Sequence, residues 1–242
     1  YSMNNTVKKN IEEWSNHPFC EETQNKLNHL KNDKIKLYDA FYRNLEFGTG
    51  GMRGLMGIGT NRINKYTIGK NSQGISNFIN SNYDDNKSVV IAYDCRNNSS
   101  ELAKIVAEVF SANEIKVYLF SSLRPTPELS YAVRKLKCLC GIVLTASHNP
   151  PEYNGFKVYW KDGGQIVPPI DNFLISEIEK LKFKEVNFNS KPELIEIIDK
   201  EIDRAFINNC LKNAINKDVK SRNDIKIVFT ALHGTSSTII PT

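Results

Sequence analysis

At 242 residues and 40% hydrophobic content, the chain can bury one complete core and part of a second. Its net charge of +5 is modest, and its lysines are spread among Asn, Ile and Glu with no arginine-rich block or aromatic-interleaved basic stripe, which argues against a nucleic acid partner. No apolar run is long enough to span a bilayer and no signal-peptide core opens the chain, so the sequence reads as soluble and cytoplasmic with no membrane partner; oligomeric state is undetermined. Five cysteines, at 20, 95, 138, 140 and 210, are odd in number and lack zinc-site spacing, which predicts reduced thiols in packed positions.

Residues 1–38 read as a helical preface. Val7, Ile11 and Trp14 are spaced by four and three, and after His17-Pro18 a second pattern carries Leu27, Leu30 and Leu37. A glycine-dense stretch follows, with six glycines in positions 48–59, too many for an ordinary helix or strand interior. It holds neither Gly-Lys-Ser/Thr nor an in-register Gly-x-Gly-x-x-Gly, so a Walker loop and a dinucleotide fold gain no support. One reading is a flexible or bulged loop. The other is an anion cradle, with Arg53 in its middle offering a guanidinium suited to forked contact with phosphate.

Alternation then sets in. A helix is predicted over 63–80, with Ile68, Ile75, Phe78 and Ile79 toward the core, and a buried strand over 88–93. That strand delivers Asp94, Arg96 and Ser99 at its end, where α/β units build sites; Asp94 or Ser99 could equally cap a helix over 100–112. A strand at 116–120 and a proline-rigid turn at 124–128 come next, then a helix over 127–137 whose Glu128 suits its first turn. The apolar run 139–144 is a strand that stops at Thr145. This β-α-β-α-β order predicts a layered α/β domain with a largely buried sheet.

Pro150 and Pro151 bar a helix directly after that strand, Asn154-Gly155 reads as a turn tolerant of positive φ, and 156–160 returns as a strand. Gly163-Gly164 marks a turn, 165–167 a short strand, and Asp171 starts a helix to about 182. The polar stretch 183–194 reads as a boundary between units. A long amphipathic helix follows, with Ile198, Ile202, Ala205, Phe206, Cys210, Leu211 and Ile215 at three-to-four spacing. A final strand at 225–230 leads to His233, which is either a site residue or an ordinary polar turn residue.

The loop after the 139–144 strand holds Ser147, His148 and Asn149, with Lys157 ten residues beyond the serine: a hydroxyl, an imidazole, an amide and an amine, the parts for phosphoryl or acyl transfer. Taken alone, Ser147 could simply cap or hydrogen-bond a turn. A Ser-His-Asp hydrolase fares poorly, because Ser147 lacks the flanking glycines of a nucleophile elbow. Neighbouring side chains of an extended segment also face opposite ways, which predicts that His148 is badly placed to take the Ser147 proton.

TASHNP followed by NG-x-K resembles the phosphoserine loop of the α-D-phosphohexomutases, the phosphoglucomutases and phosphomannomutases. FGTGGMRG resembles that family's N-terminal active-site loop, and NGFKVYWKDGGQI and GIGTNRINKYTIGKNSQG look most like the branch of bacterial phosphoglucomutases and phosphopentomutases. Asp94-x-Arg96 followed by Ser99, and Pro125-Thr126-Pro127, fit the same pattern. Gly50 departs from it, since many relatives read Ser or Ala there.

The resemblance implies an α/β/α domain 1 with a mixed sheet over 39–190, preceded by the helical segment 1–38 and followed by the start of a similar domain 2 over 191–242. The chain is thus expected to be the N-terminal part of a longer, four-domain enzyme. Ser147 is implied as the phosphoserine and, through its phosphoryl group, as a magnesium ligand. Arg53, Lys157 and His148 are implied as catalytic, Lys157 as general acid/base or phosphate contact, and Arg96, Asn149 and Asn154 as substrate- or phosphate-binding. Mg2+ and a sugar 1,6-bisphosphate activator or intermediate accompany a sugar phosphate substrate that could be a glucose, mannose or pentose phosphate. The alternative is a catalytically incomplete sugar-phosphate-binding or regulatory module.

Overall fold

The structure, a computed structural model, describes residues 5–215 and 224–241; the portions of the 1–38 and 191–242 segments at 1–4, 216–223 and 242 lie outside the described residues. Three helices open the chain: α1 (Asn5–Trp14), α2 (Glu21–Leu30) and α3 (Lys34–Phe41). They bury Val7, Trp14, Leu27, Leu37 and Phe41 together with Phe19, Tyr66 and Phe183. Trp14 sits at the centre, stacked on Phe19 at 4.2 Å between ring centroids and edge-on to Phe41, Tyr66 and Phe183.

The main body alternates as the hydrophobic pattern predicts. It runs β1 (Gly51–Leu55), α4 (Lys65–Asn82), β2 (Ser88–Tyr93), α5 (Ser99–Ala112), β3 (Lys116–Phe120), α6 (Thr126–Lys135), β4 (Cys140–Leu144), β5 (Tyr153–Trp160), α7 (Ile170–Lys180), β6 (Ile195–Ile198) and α8 (Lys200–Lys212). Asn64 starts α4 through a capping box, its side chain accepting from Tyr66 and Thr67 N–H while the Thr67 hydroxyl accepts from Asn64 N–H. Among the described residues six strands form one mixed sheet in the order β1-β5-β4-β2-β3-β6. β2, β3, β4 and β6 pair in parallel, and β5 is antiparallel to both β4 and β1.

Successive strand residues supply opposite faces. Val89, Ile91 and Ile142 pack on one side with Ile68, Ile75, Val106 and Phe110 of α4 and α5, and with Leu174 of α7. Val90, Ala92 and Val143 pack on the other with Leu129 and Val133 of α6 and Ile202 of α8. Helices therefore cover both faces, which is why β2 and β4 are buried at every position and, but for Ser88, apolar.

Several expectations are corrected. The glycine stretch is partly a strand: β1 pairs with β5, and glycine is required there by close approach, since a Cβ on Gly51 would lie 2.0 Å from Phe156 O. Asn154 and Gly155 lie inside β5 rather than in a turn. Residues 165–167 make only an isolated bridge, Gln165 to Tyr159. Ile198 closes β6 instead of starting the following helix, and the sheet continues past residue 190. The strand expected at 225–230 does not form: it has no neighbouring strand among the described residues, Ile227 and Val228 are 82% and 98% exposed, and a lone strand leaves its backbone unpaired. Cys138 and Cys140 are packed as expected, but Cys20, Cys95 and Cys210 are exposed.

Candidate active site

β4 runs buried to Leu144, and the chain then leaves the sheet. Thr145 Oγ1 accepts from Ser147 N at 2.9 Å, and Asn149 N donates to Ala146 O at 3.1 Å, folding residues 145–149 into a tight turn. Ser147 takes a left-handed φ of 56° and is exposed. A non-glycine residue held there is uncommon and marks a position fixed by its surroundings. The same conformation overturns the expectation for His148. Because Ser147 is not extended, His148 Nδ1 comes to 3.4 Å from Ser147 Oγ.

Arg96 is what fixes this loop. Nη2 donates to Ser147 O at 2.7 Å and to Asn149 O, and Nη1 to Pro150 O at 2.9 Å and Tyr153 O at 3.1 Å. Its Nε lies 3.6 Å from Asp94 Oδ2, and Asp94 Oδ1 accepts from Arg96 N and Ser99 Oγ. With all four terminal N–H groups on carbonyls, Arg96 holds the loop and has no free fork for an anion, a correction to its expected phosphate-binding place. Asn154 is likewise repositioned. It is fully buried, and its Nδ2 donates to Asn97 O and Ser99 Oγ at 3.0 Å each, so it braces the segment after β2 from within the protein. Asp94 and Ser99 thus serve the loop; the residue preceding α5 is Asn98, which makes no side-chain cap.

The cations come from the antiparallel strands. In the β1–β5 register Arg53 stands opposite Gly155 and Gly51 opposite Lys157, so Arg53 and Lys157 share one face and each faces a glycine. Gly155 has no room for a side chain, with Thr145 O 2.5 Å and Met52 O 2.8 Å from where a Cβ would lie. Arg53 Nη1 donates to Asn149 Oδ1 at 2.9 Å, tying the strand cation to the serine loop. Burial and the neighbouring Arg53 guanidinium lower the Lys157 ammonium pKa from its ordinary value, against the opposing charge of Asp94.

Sequence reasoning missed Thr145 as the acceptor that shapes the turn; a Thr two residues before the serine is a local side-chain-to-backbone signal that could have found it. Ser147, His148, Asn149, Arg53 and Arg96 are brought together, with Lys157 on the adjoining strand. This set offers a hydroxyl acceptor for a phosphoryl group, a guanidinium beside it and an amine of lowered basicity. A magnesium site is a different matter. Among the described residues no group of three or more His, Cys, Asp or Glu could hold a metal ion, and Asp94 is engaged by Arg96 and Ser99. A phosphorylated Ser147 would be one ligand, and the described residues do not fit as the rest of such a site.

Comparison with known proteins follows the same lines. Residues 44–185 match the family described as phosphoglucomutase/phosphomannomutase, alpha/beta/alpha domain I. The chain is 41% identical over 205 residues to the phosphoglucomutase of Staphylococcus haemolyticus (strain JCSC1435), covering 84% of this chain and 37% of that protein. It is 38% identical over 216 residues to the phosphoglucomutase of Staphylococcus aureus (strain bovine RF122 / ET3-1), covering 86% and 38%. The chain therefore spans little more than a third of the length of these curated relatives. A solved phosphoglucomutase/phosphomannomutase family protein from Burkholderia thailandensis shares the fold with a TM-score of 0.55 at 23% identity, over 69% of this chain and 35% of that one. A six-stranded mixed sheet covered on both faces, with the family's domain I match running from just before β1 to just after α7, establishes that the chain belongs to the phosphoglucomutase/phosphomannomutase family.

Proposed function

We propose that this chain supplies the phosphoryl-carrying part of a sugar-phosphate mutase, with Ser147 as the carrier that moves a phosphoryl group between the two ends of a hexose or pentose phosphate by way of a bisphosphate. The supporting observation is the presentation of Ser147: an exposed hydroxyl at left-handed φ, on a loop whose carbonyls are held by Arg96. The phosphoglucomutase names of the relatives support a sugar phosphate as substrate.

In this proposal the sugar hydroxyl oxygen forms a new P–O bond as the bond from phosphorus to Ser147 Oγ breaks. Lys157, its basicity lowered by burial and Arg53, takes the hydroxyl proton as a neutral amine. His148, 3.4 Å from Oγ, returns a proton to the departing serine oxygen. The reverse transfer, from the other end of the reoriented bisphosphate, retraces these steps. Phosphoserine carries roughly −1.5 to −2 charge near neutral pH, and Arg53 is the cation on hand to offset it. Ser147→Ala in the full-length protein should abolish mutase turnover while the fold persists, and the native protein should carry one phosphoryl group on the peptide spanning 145–157. Retained turnover in that variant would defeat the assignment.

A further inference from the structure

Arg124 and Glu128 are packed between α6 and α8 with exposures of 4% and 0%. The Arg124 guanidinium is fully committed. Nε and Nη2 fork onto the two oxygens of Asp203 at 2.8 and 3.0 Å, Nη2 also donates to Asp199 Oδ1 at 3.1 Å, and Nη1 donates to Ser122 O, Ser122 Oγ and Leu123 O. Glu128 is left 3.9 Å from Arg124 Nε, and neither of its oxygens receives a hydrogen bond from a donor among the described residues. A bare carboxylate in that position would be a buried anion without a donor, a costly arrangement. Its neighbour Asp203 offers only carboxyl oxygens, so the two groups can bond to each other only through a proton.

We propose that Glu128 and Asp203 share one proton and that this proton fastens α8 to α6. Burial, reinforced by Asp203, pushes the Glu128 carboxyl up to about 8. Burial also opposes ionisation of Asp203, but hydrogen bonds from Arg124 and Glu128 outweigh it and hold that carboxyl below its usual value. The proton therefore resides on Glu128, and Asp203 keeps the charge that the Arg124 fork requires. The charged groups around the pair are Arg124 on the β3–α6 connection, Asp199 ahead of α8, and Lys200 and Arg204 on α8, which border an adjoining cavity of about 460 Å3. One guanidinium thus faces three carboxyl groups, and the shared proton removes one of the three charges.

With α8 lifted off α6, Glu128 is open to water and titrates near its ordinary 4.5. Docking of α8 is then strongest below that value, weakens about tenfold per pH unit as pH rises toward 8, and levels off beyond. The test is amide hydrogen exchange on the full chain from pH 5.5 to 8.5, corrected for intrinsic exchange, with β2 and β4 amides as the internal reference. Protection across α8 should fall about a hundredfold between pH 5.5 and 7.5. Glu128→Gln, which keeps a donor toward Asp203 and cannot ionise, should hold protection constant over that range. A flat profile in the parent chain, or the same slope in the variant, overturns the proposal. Should the variant fail to fold, infrared spectroscopy of the parent with 13C-labelled glutamate provides the second reading. A protonated-carboxyl band present at pH 6 and lost with a midpoint near 8 is expected, and its absence at pH 6 overturns the proposal.

Discussion

Replacing Arg96 by Ala removes four hydrogen bonds to the carbonyls of residues 147, 149, 150 and 153. A hydrogen bond to a charged group is worth about 1.5–3 kcal/mol net, but these carbonyls belong to a partly exposed loop and regain water once the guanidinium is gone. Discounting each bond to somewhat under 1 kcal/mol gives a total of about 3 kcal/mol. The loss of charge beside Asp94, whose side chain is only 14% exposed, acts in the same direction. We expect urea denaturation of Arg96→Ala to show that loss, and the amides of Ser147, Asn149 and Tyr153 to exchange about a hundredfold faster. Arg96→Lys should recover less than half of it, because an ammonium cannot span four acceptors as a planar fork does. A stability change below about 1 kcal/mol, with loop exchange unchanged, would refute the claim that Arg96 sets the loop's shape.

The Lys157 pKa should rise toward the ordinary lysine value in Arg53→Ala, read by NMR of the labelled side chain, since Arg53 is one of the two effects that lower it. The folded chain also binds fewer protons at Lys157 than the unfolded chain between the lowered pKa and 10.5, so stability should gain as pH rises through that window, and Lys157→Met should remove this dependence. Hydrogen bonds from Thr23 and Tyr66 bring the Cys20 thiol down to about 7, while burial pushes Cys138 up to about 11. Iodoacetamide at pH 7 should therefore alkylate Cys20 at least about a hundredfold faster than Cys138, and Thr23→Val should slow the Cys20 reaction; peptide mass spectrometry over a time course checks both.

What could be read from the chain alone was what is local. The run at 139–144 announced a strand, and the polar residues that follow it announced a loop with chemistry. β1 was hidden because its reason for being glycine-rich lies in another strand: Gly51 fits under the backbone of Phe156. Arg96 stood out as part of a polar cluster at a strand end, but the carbonyls that use it come 51 to 57 residues later. Glu128 satisfied a local rule, an acid in the first turn of a helix, and that rule concealed its burial against Asp203 on α8. Side-chain alternation misjudged His148 because it assumed extended backbone where Ser147 is left-handed. Nothing within 225–230 marks it as lacking a neighbour, since a strand's partners are not written in its own residues.

The link between Arg53 and Asn149 joins positions 96 residues apart. Closing a flexible loop of that size costs about 4 kcal/mol, against which β1 sets its pairing with β5, the burial of Met52 and the Arg53–Asn149 bond. β5 in turn pairs with β4, and β4 with β2. The strand bearing the guanidinium is the first among the described residues and lies at the edge of the sheet. The serine loop therefore gains its Arg53 link only when β1 is paired with β5, so the loop's guanidinium contact depends on a strand pairing far away in the chain.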